Sequence, residues 1–252
     1  HETGSIFVQI SDENLHHVRE LMDEVFGSEN FVSLITFNKT TGATSKYLPG
    51  AADYLLWCAR SLDKVTYRPL YATKEVGSQG ATNYNRVLLP DGTRRYLSAV
   101  EKADLASLPR GSRVYSLDNL TSQSVGRQKG EGAASWFPVL LDGKEYRPSY
   151  QVRWKTNQEG MENLRRKGRL ESTENRLGYV RFFADFPVYA LNNSWTDVGA
   201  SFMADKLYVV QTNTKVIQRC LLMTTDPGDL VLDPTCGSGT TAFVAEQWGR
   251  RW

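Results

Sequence analysis

Apolar and polar positions follow two regimes along this chain. Ile6-Phe7-Val8-Gln9-Ile10 is a short, nearly unbroken apolar run rich in β-branched residues, the pattern of a strand covered on both faces in a parallel sheet. A helix is predicted next, because Leu15, Val18, Leu21, Met22, Val25 and Phe26 recur at helical spacing. Ser11 or Asp12 can cap its start and Gly27 can stop it. Phe31 to Phe37 reads as a second strand, and strand, helix, strand in so short a stretch predicts an α/β sheet. Asp53 to Ala59 and Val65 to Ala72 fit either helix or strand and finish this half.

From Thr73 to Phe186 the periodicity weakens and turn signals appear at Pro90-Asp91-Gly92, Pro109-Arg110-Gly111 and Asp142-Gly143. Regular sheet-building is expected to stop here, apart from a short helix over Asn157 to Leu170 that ends at Gly168. Order returns with a helix over Lys215 to Met223, for which Thr212 or Asn213 is the cap. Leu230-Val231-Leu232 then reads as a short buried strand, and a glycine loop leads into a helix over Thr240 to Trp248. The middle therefore looks like an insertion between two parts of one sheet.

Composition changes this picture little: the formal charge is +2 at neutral pH, but its placement is uneven. Up to Phe37 the charges are acidic except for Arg19. From Lys144 to Arg181 basic residues dominate, among them Arg153, Lys155, Arg165, Arg166, Lys167, Arg169, Arg176 and Arg181. That distribution fits a region meeting a polyanion and equally a solvated basic face. Cys58, Cys220 and Cys236 are far apart, which predicts neither a disulfide framework nor a zinc site and suits a reducing compartment. His16 and His17 are helix neighbours expected to point apart, so no metal is expected. No apolar run is long enough for a membrane span and no signal peptide is read, which makes cytoplasm the expectation. The opening His1-Glu2-Thr3-Gly4 and the closing Gly249-Arg250-Arg251-Trp252 read as the ends of a piece of a longer protein.

The chemistry concentrates in Asp233-Pro234-Thr235-Cys236-Gly237-Ser238-Gly239-Thr240-Thr241, where a strand should end and a helix begin. Open α/β sheets bind ligands at such places. Glycines admit close approach to the backbone, the helix start offers free amides, and an acid at the strand tip can face a ligand's amine. A phosphate loop needs Lys before Ser or Thr after the last glycine; this chain has Thr240-Thr241. A dinucleotide loop is formally met by Gly237, Gly239 and Ala242, but its acidic partner would fall beyond Trp252. A third reading is a methyl-donor loop.

Leu232-Asp233-Pro234 followed by Gly-Ser-Gly-Thr-Thr resembles the S-adenosylmethionine motif of DNA amino-methyltransferases. The resemblance extends to Gly4 to Ile10 with Asp12-Glu13-Asn14, to Thr212 to Val216, and to Trp154-Lys155-Thr156, Glu159-Gly160-Met161 and Tyr179-Val180-Arg181. These are similar to modification subunits of type III restriction systems, in the permuted order with the catalytic half first. The resemblance implies an α/β, Rossmann-like S-adenosylmethionine-dependent methyltransferase fold, circularly permuted and with an incomplete sheet. Residues 1–72 would supply the catalytic-half strands and helices, 73–200 an inserted target recognition region, and 201–252 the cofactor strand, loop and helix. By matched position, Asp233, Pro234, Gly237, Ser238, Gly239 and Thr240 would line the cofactor pocket, with Gln211, Thr212 and Lys215 as further candidates.

The family also carries an Asp, Asn or Ser followed by Pro-Pro and an aromatic residue, which holds the target amine. No Pro-Pro occurs in this chain; the motif is expected upstream of residue 1, and the chain alone is expected to be inactive. The implied reaction is methylation of an exocyclic amine on a base flipped out of double-stranded DNA, adenine N6 or alternatively cytosine N4. Arg165, Arg166 and Lys167 are candidate phosphate contacts, with an exposed basic helix face as the plain alternative. A restriction (translocase) subunit and a second modification subunit are partners that the resemblance implies.

Overall fold

A computed structural model of the protein describes residues 1–39, 46–123, 132–174, 176–199 and 212–252. The opening apolar run forms β1 (Ser5–Ile10), followed by α1 (Leu15–Phe26), β2 (Phe31–Asn38) and β3 (Ala52–Ala59). The middle contributes β4 (Arg86–Leu88), β5 (Arg94–Tyr96), α2 (Ala99–Ala103), β6 (Arg113–Asn119), α3 (Gln158–Arg166), β7 (Leu170–Thr173) and β8 (Arg176–Phe182). β9 (Ser194–Trp195), α4 (Thr214–Thr224) and α5 (Thr240–Gln247) complete it. Two compact units result, His1–Ala72 with Ala190–Trp252, and Thr73–Tyr189.

The first unit is built on a four-stranded sheet of order β1-β3-β2-β9. β3 runs antiparallel to both β1 and β2, and only β9 pairs parallel, with β2. The parallel neighbour expected for β1 is thus corrected. Its apolar run reports coverage of both faces, which says nothing about the direction of the adjoining strand. On one face Ile6, Val8 and Ile10 meet α1, whose Met22 packs with Leu56 and Cys58. On the other, Leu55, Trp57, Ile35 and Phe37 pack under Val216, Cys220 and Met223 of α4. Period-two alternation along each strand sorts the side chains between these two cores.

Local punctuation differs in detail. No side chain caps α1; a 3₁₀ turn at Asp12–Asn14 takes up the first amides instead, while Gly27, at φ 87°, ends the helix. The cap of α4 is Asn213, whose side chain accepts from Lys215 N at 2.9 Å. The His16 and His17 rings do not diverge: both are exposed, nothing packs between them, and their centroids lie 3.9 Å apart. Among the described residues no cluster of three metal-binding side chains occurs, and no helix is long and apolar enough to cross a membrane. Leu230 and Leu232 are 68% and 84% exposed. The buried strand expected there is only a one-residue bridge from Leu230 to Arg251, because no described strand lies alongside to cover it.

The second unit overturns the expectation that sheet-building stops. It holds a five-stranded antiparallel sheet of order β7-β8-β6-β4-β5, with Tyr115, Val180 and Phe182 packed together on it. Three of its strands have only three or four residues, too few for alternation to stand out from the turns between them. A neighbouring core gathers Leu120, Tyr146, Trp154, Met161, Leu170 and Leu177. The Asn157 side chain caps α3 on Gly160 N, and Leu170 belongs to β7, not to the helix.

Candidate functional site

The loop from Asp233 to Thr241 is organised by one carboxylate. Asp233 Oδ1 accepts from Thr235 N at 3.1 Å, the Thr235 hydroxyl at 2.9 Å and Cys236 N at 2.9 Å, and Oδ2 accepts from the Thr241 hydroxyl at 2.6 Å. The Thr241 hydroxyl above all, with those of Thr235 and the two amides, holds the Asp233 carboxyl below its ordinary range against the opposing effect of partial burial. Three of these bonds fall on Oδ1 and one on Oδ2, so Asp233 shapes the loop mainly through Oδ1 and keeps its charge and one acceptor position on Oδ2.

The turn itself needs left-handed backbone at Cys236 (φ 41°), Gly237 (φ 51°) and Gly239 (φ 76°). A Cβ on either glycine would meet no heavy atom within 4 Å. The glycines therefore answer backbone conformation, and the space above them is open to a ligand. The hydroxyls of Ser238 and Thr240 are hydrogen-bonded to each other at 2.7 Å. Thr240 is buried, whereas Pro234, Gly237 and Ser238 are exposed. Gly239 N-caps α5, whose leading amides lack partners within the helix. An acid, an open glycine surface and free amides suit a ligand with a cationic group and hydrogen-bond acceptors.

α5 is anchored by Val244 and Ala245 against Leu221 of α4, so α4 carries the loop's support. At its start, Thr212 is not the cap; its hydroxyl donates to Gln9 Oε1 at 2.8 Å. The Lys215 ammonium pairs with Asp197 at 2.6 Å. Asp197 also receives the guanidinium of the buried Arg219 at 2.7 and 2.9 Å. Burial pushes the Asp197 carboxyl up, but Arg219 and Lys215 outweigh it and bring it down to about 2. Gln211 lies outside the described residues.

Sequence reasoning missed Gln9, Asp53, Asp197 and Arg219. Gln9 is the one polar residue in the apolar run and Asp53 the one acid in Ala51 to Ala59, which is a local signal; the Asp197 to Arg219 pairing has none. In the second unit Arg165, Arg166 and Lys167 are all exposed at the end of α3. Arg165 is paired with Glu162 at 2.7 Å, Arg166 bonds Asn163, and the Lys167 ammonium has no partner among the described residues. Arg169 and Arg181 are likewise committed, to Asp185 and Asp118.

A family model described as DNA methylase, of the N6/N4 type, matches residues 1–252. The chain is 25% identical over 263 residues to the type II methyltransferase M.EcaI of Enterobacter cloacae, an alignment covering all of this chain and 50% of that protein. It is 23% identical over 298 residues to the probable type III restriction-modification enzyme HindVI Mod subunit of Haemophilus influenzae, covering all of this chain and 39% of that subunit. A stretch of 42 residues, 17% of this chain and 10% of the relative, is 48% identical to the type II methyltransferase M.BamHI of Bacillus amyloliquefaciens. The chain thus spans half or less of the length of the first two of these curated relatives.

Proposed function

This chain belongs to the N6/N4 DNA methylase family, and we propose that the complete protein transfers a methyl group from S-adenosylmethionine to an exocyclic base amine of double-stranded DNA, adenine N6 being the target. The observation that carries the reading is the Asp233-centred loop, with its carboxylate held charged beside open space over Gly237 and Gly239. A dinucleotide in that loop, the rival drawn from Gly237, Gly239 and Ala242, has no support from the family match.

Bound at this loop, S-adenosylmethionine supplies an electrophilic methyl on a sulfonium. Asp233 would present negative charge to the cationic amino-acid end of the cofactor, and Pro234, Gly237, Ser238 and Gly239 would line its pocket, with Thr240 behind them bonded to Ser238. Thr212 borders the cofactor. Lys215 acts through Asp197 by fixing the start of α4, not by direct contact. An exocyclic amine is a poor nucleophile while its lone pair is conjugated with the ring, and acceptors that hold it tetrahedral, in line with the methyl, raise its reactivity. With no Pro-Pro in its sequence, the 252-residue chain transfers no methyl group by itself.

The sheet suits part of a circularly permuted Rossmann-like fold. Among the described residues β1 stands at the sheet edge and Leu230 and Leu232 are exposed beside Arg251, surfaces that further strands would cover. The first unit, residues 1–72 with 190–252, then serves as methyltransferase core and the second, residues 73–189, as target recognition region with Arg165, Arg166 and Lys167 on phosphates; the boundary expected at 200 moves back because β9 pairs with β2 of the core sheet. A restriction subunit and a second modification subunit follow from the resemblance to type III systems, and cytoplasm from a DNA substrate. Calorimetric titration of the complete protein with S-adenosylmethionine and, separately, NADH tests the cofactor: binding of the first alone is expected, and binding of NADH alone would overturn the reading.

A further inference from the structure

Three polar side chains close the inner face of the sheet at the carboxyl end of β1. Gln9 faces Leu55 across the β1/β3 ladder and Asp53 follows two positions along β3, so both share the face on which Phe7, Leu55 and Trp57 pack under α4, Gln9 itself lying exposed at its margin. Apolar packing ends there and a hydrogen-bonded chain begins. The Thr212 hydroxyl donates to Gln9 Oε1 at 2.8 Å, Gln9 Nε2 donates to Asp53 at 3.4 Å, and the Lys39 ammonium reaches the same carboxylate at 3.4 Å. Asp53 is only 8% exposed, so its carboxylate has little water to turn to.

The direction of this chain is set at one end. A carboxylate accepts and never donates, whereas a primary amide has one accepting and one donating end. Beside Asp53, Gln9 must present Nε2, which leaves Oε1 as the group that meets Thr212. We infer that Asp53 is a positioning residue for the cofactor segment, fixing the Gln9 amide so that its oxygen receives the Thr212 hydroxyl and holds the start of α4 against the sheet. The inference rests on the proposed reading that Thr212 borders S-adenosylmethionine. Asp53 itself touches Gln9 and Lys39, not the ligand. Thr212 adjoins Asn213, the α4 cap, so a displaced Gln9 amide shifts the approach to the helix that supports the Asp233 loop.

The test uses the complete protein and its dissociation constant for S-adenosylmethionine. Gln9→Glu sets two carboxylates against each other and should weaken binding roughly tenfold. Adding Asp53→Asn gives the introduced carboxylate an amide donor, leaves it free to accept from Thr212, and should restore affinity to within about threefold of the parent. Asp53→Asn alone, which frees the Gln9 amide to turn over, should cost roughly threefold, so recovery in the double variant is one weakening substitution repairing another. Thr212→Val, which leaves the sheet intact, should cost roughly threefold, and Asp53→Asn should add nothing on that background. A double variant as weak as Gln9→Glu alone, or an additive loss from Thr212→Val and Asp53→Asn, overturns the inference. If the parent protein binds no S-adenosylmethionine, the functional reading itself falls and this inference with it, a result distinct from a parent that binds and a double variant that fails.

Discussion

Thr241 donates its hydroxyl to Oδ2 of Asp233 at 2.6 Å, tying the first turn of α5 to the residue on which the loop turns. The bond makes helix position and loop shape one property. Thr241→Val should therefore weaken S-adenosylmethionine binding by roughly three- to tenfold, less than the full worth of a hydrogen bond to a charged group because the other three donors still hold the carboxylate. Asp233→Asn removes the charge and sets an amide among four donors, so a loss larger than that of Thr241→Val is expected. Calorimetry on the complete protein reads both, and an Asp233→Asn variant with parental affinity would contradict the role given to the carboxylate.

Acid should spare this loop longer than an ordinary carboxylate would allow. Thr241, with the other donors, depresses the Asp233 pKa in the folded protein. A depressed folded-state value contributes stability that is complete above the unfolded value and is lost only as pH falls through the folded one. Cofactor affinity is expected to hold as pH drops through the ordinary Asp range near ~3.9 and to fall beneath it. A decline centred above that range in the parent, absent from Asp233→Asn, would count against it.

The Asp197 clamp predicts a stability effect separate from binding. Asp197 joins Lys215 and the buried Arg219, which also lies under Trp195. Asp197→Asn leaves a guanidinium uncompensated. Because the Asp197 side chain is 50% exposed, a cost of about 1–2 kcal/mol is expected, below the 3–5 of a fully buried pair. The folded carboxyl lies at about 2, under its unfolded value, so the contribution is complete above pH ~4 and is lost as pH falls toward 2. Thermal unfolding of parent and variant should converge across that window; a constant difference through it would contradict the assignment.

What the sequence made legible is what repeats locally. Helical spacing from Leu15 to Phe26 and from Val216 to Met223 marked α1 and α4, and Gly27, Gly237 and Gly239 marked turns whose positive φ angles they adopt. The donors around Asp233 lie within eight positions of it, so the loop could be read as a unit. The partners of Thr212 and Arg219 could not. Thr212 meets Gln9 from 203 positions away, and no periodicity reports such a pairing. Strand direction was equally invisible: the β1 pattern records two covered faces, and the antiparallel β3 between β1 and β2 is a matter of topology. The strands Arg86–Leu88 and Arg94–Tyr96 are too short for alternation to distinguish them from loop.

The proposed binding of DNA by the second unit predicts a salt signature. Arg165 and Arg166 hold partners on their own helix, while the Lys167 ammonium has none among the described residues. Replacing all three with Ala in the complete protein should weaken duplex binding across sequences and reduce the dependence of log K on log salt by up to about 0.9 per lost phosphate contact. Unchanged affinity and slope would mark them as a solvated helix face.

The central claim is tested most directly by the product. The complete protein is incubated with duplex DNA and S-adenosylmethionine labelled on its methyl group, and the DNA is then digested to nucleosides. Label in N6-methyladenine is the expected result. Label in N4-methylcytosine would contradict the choice of base, and a protein that binds DNA and cofactor yet leaves every base unlabelled would contradict methyl transfer itself.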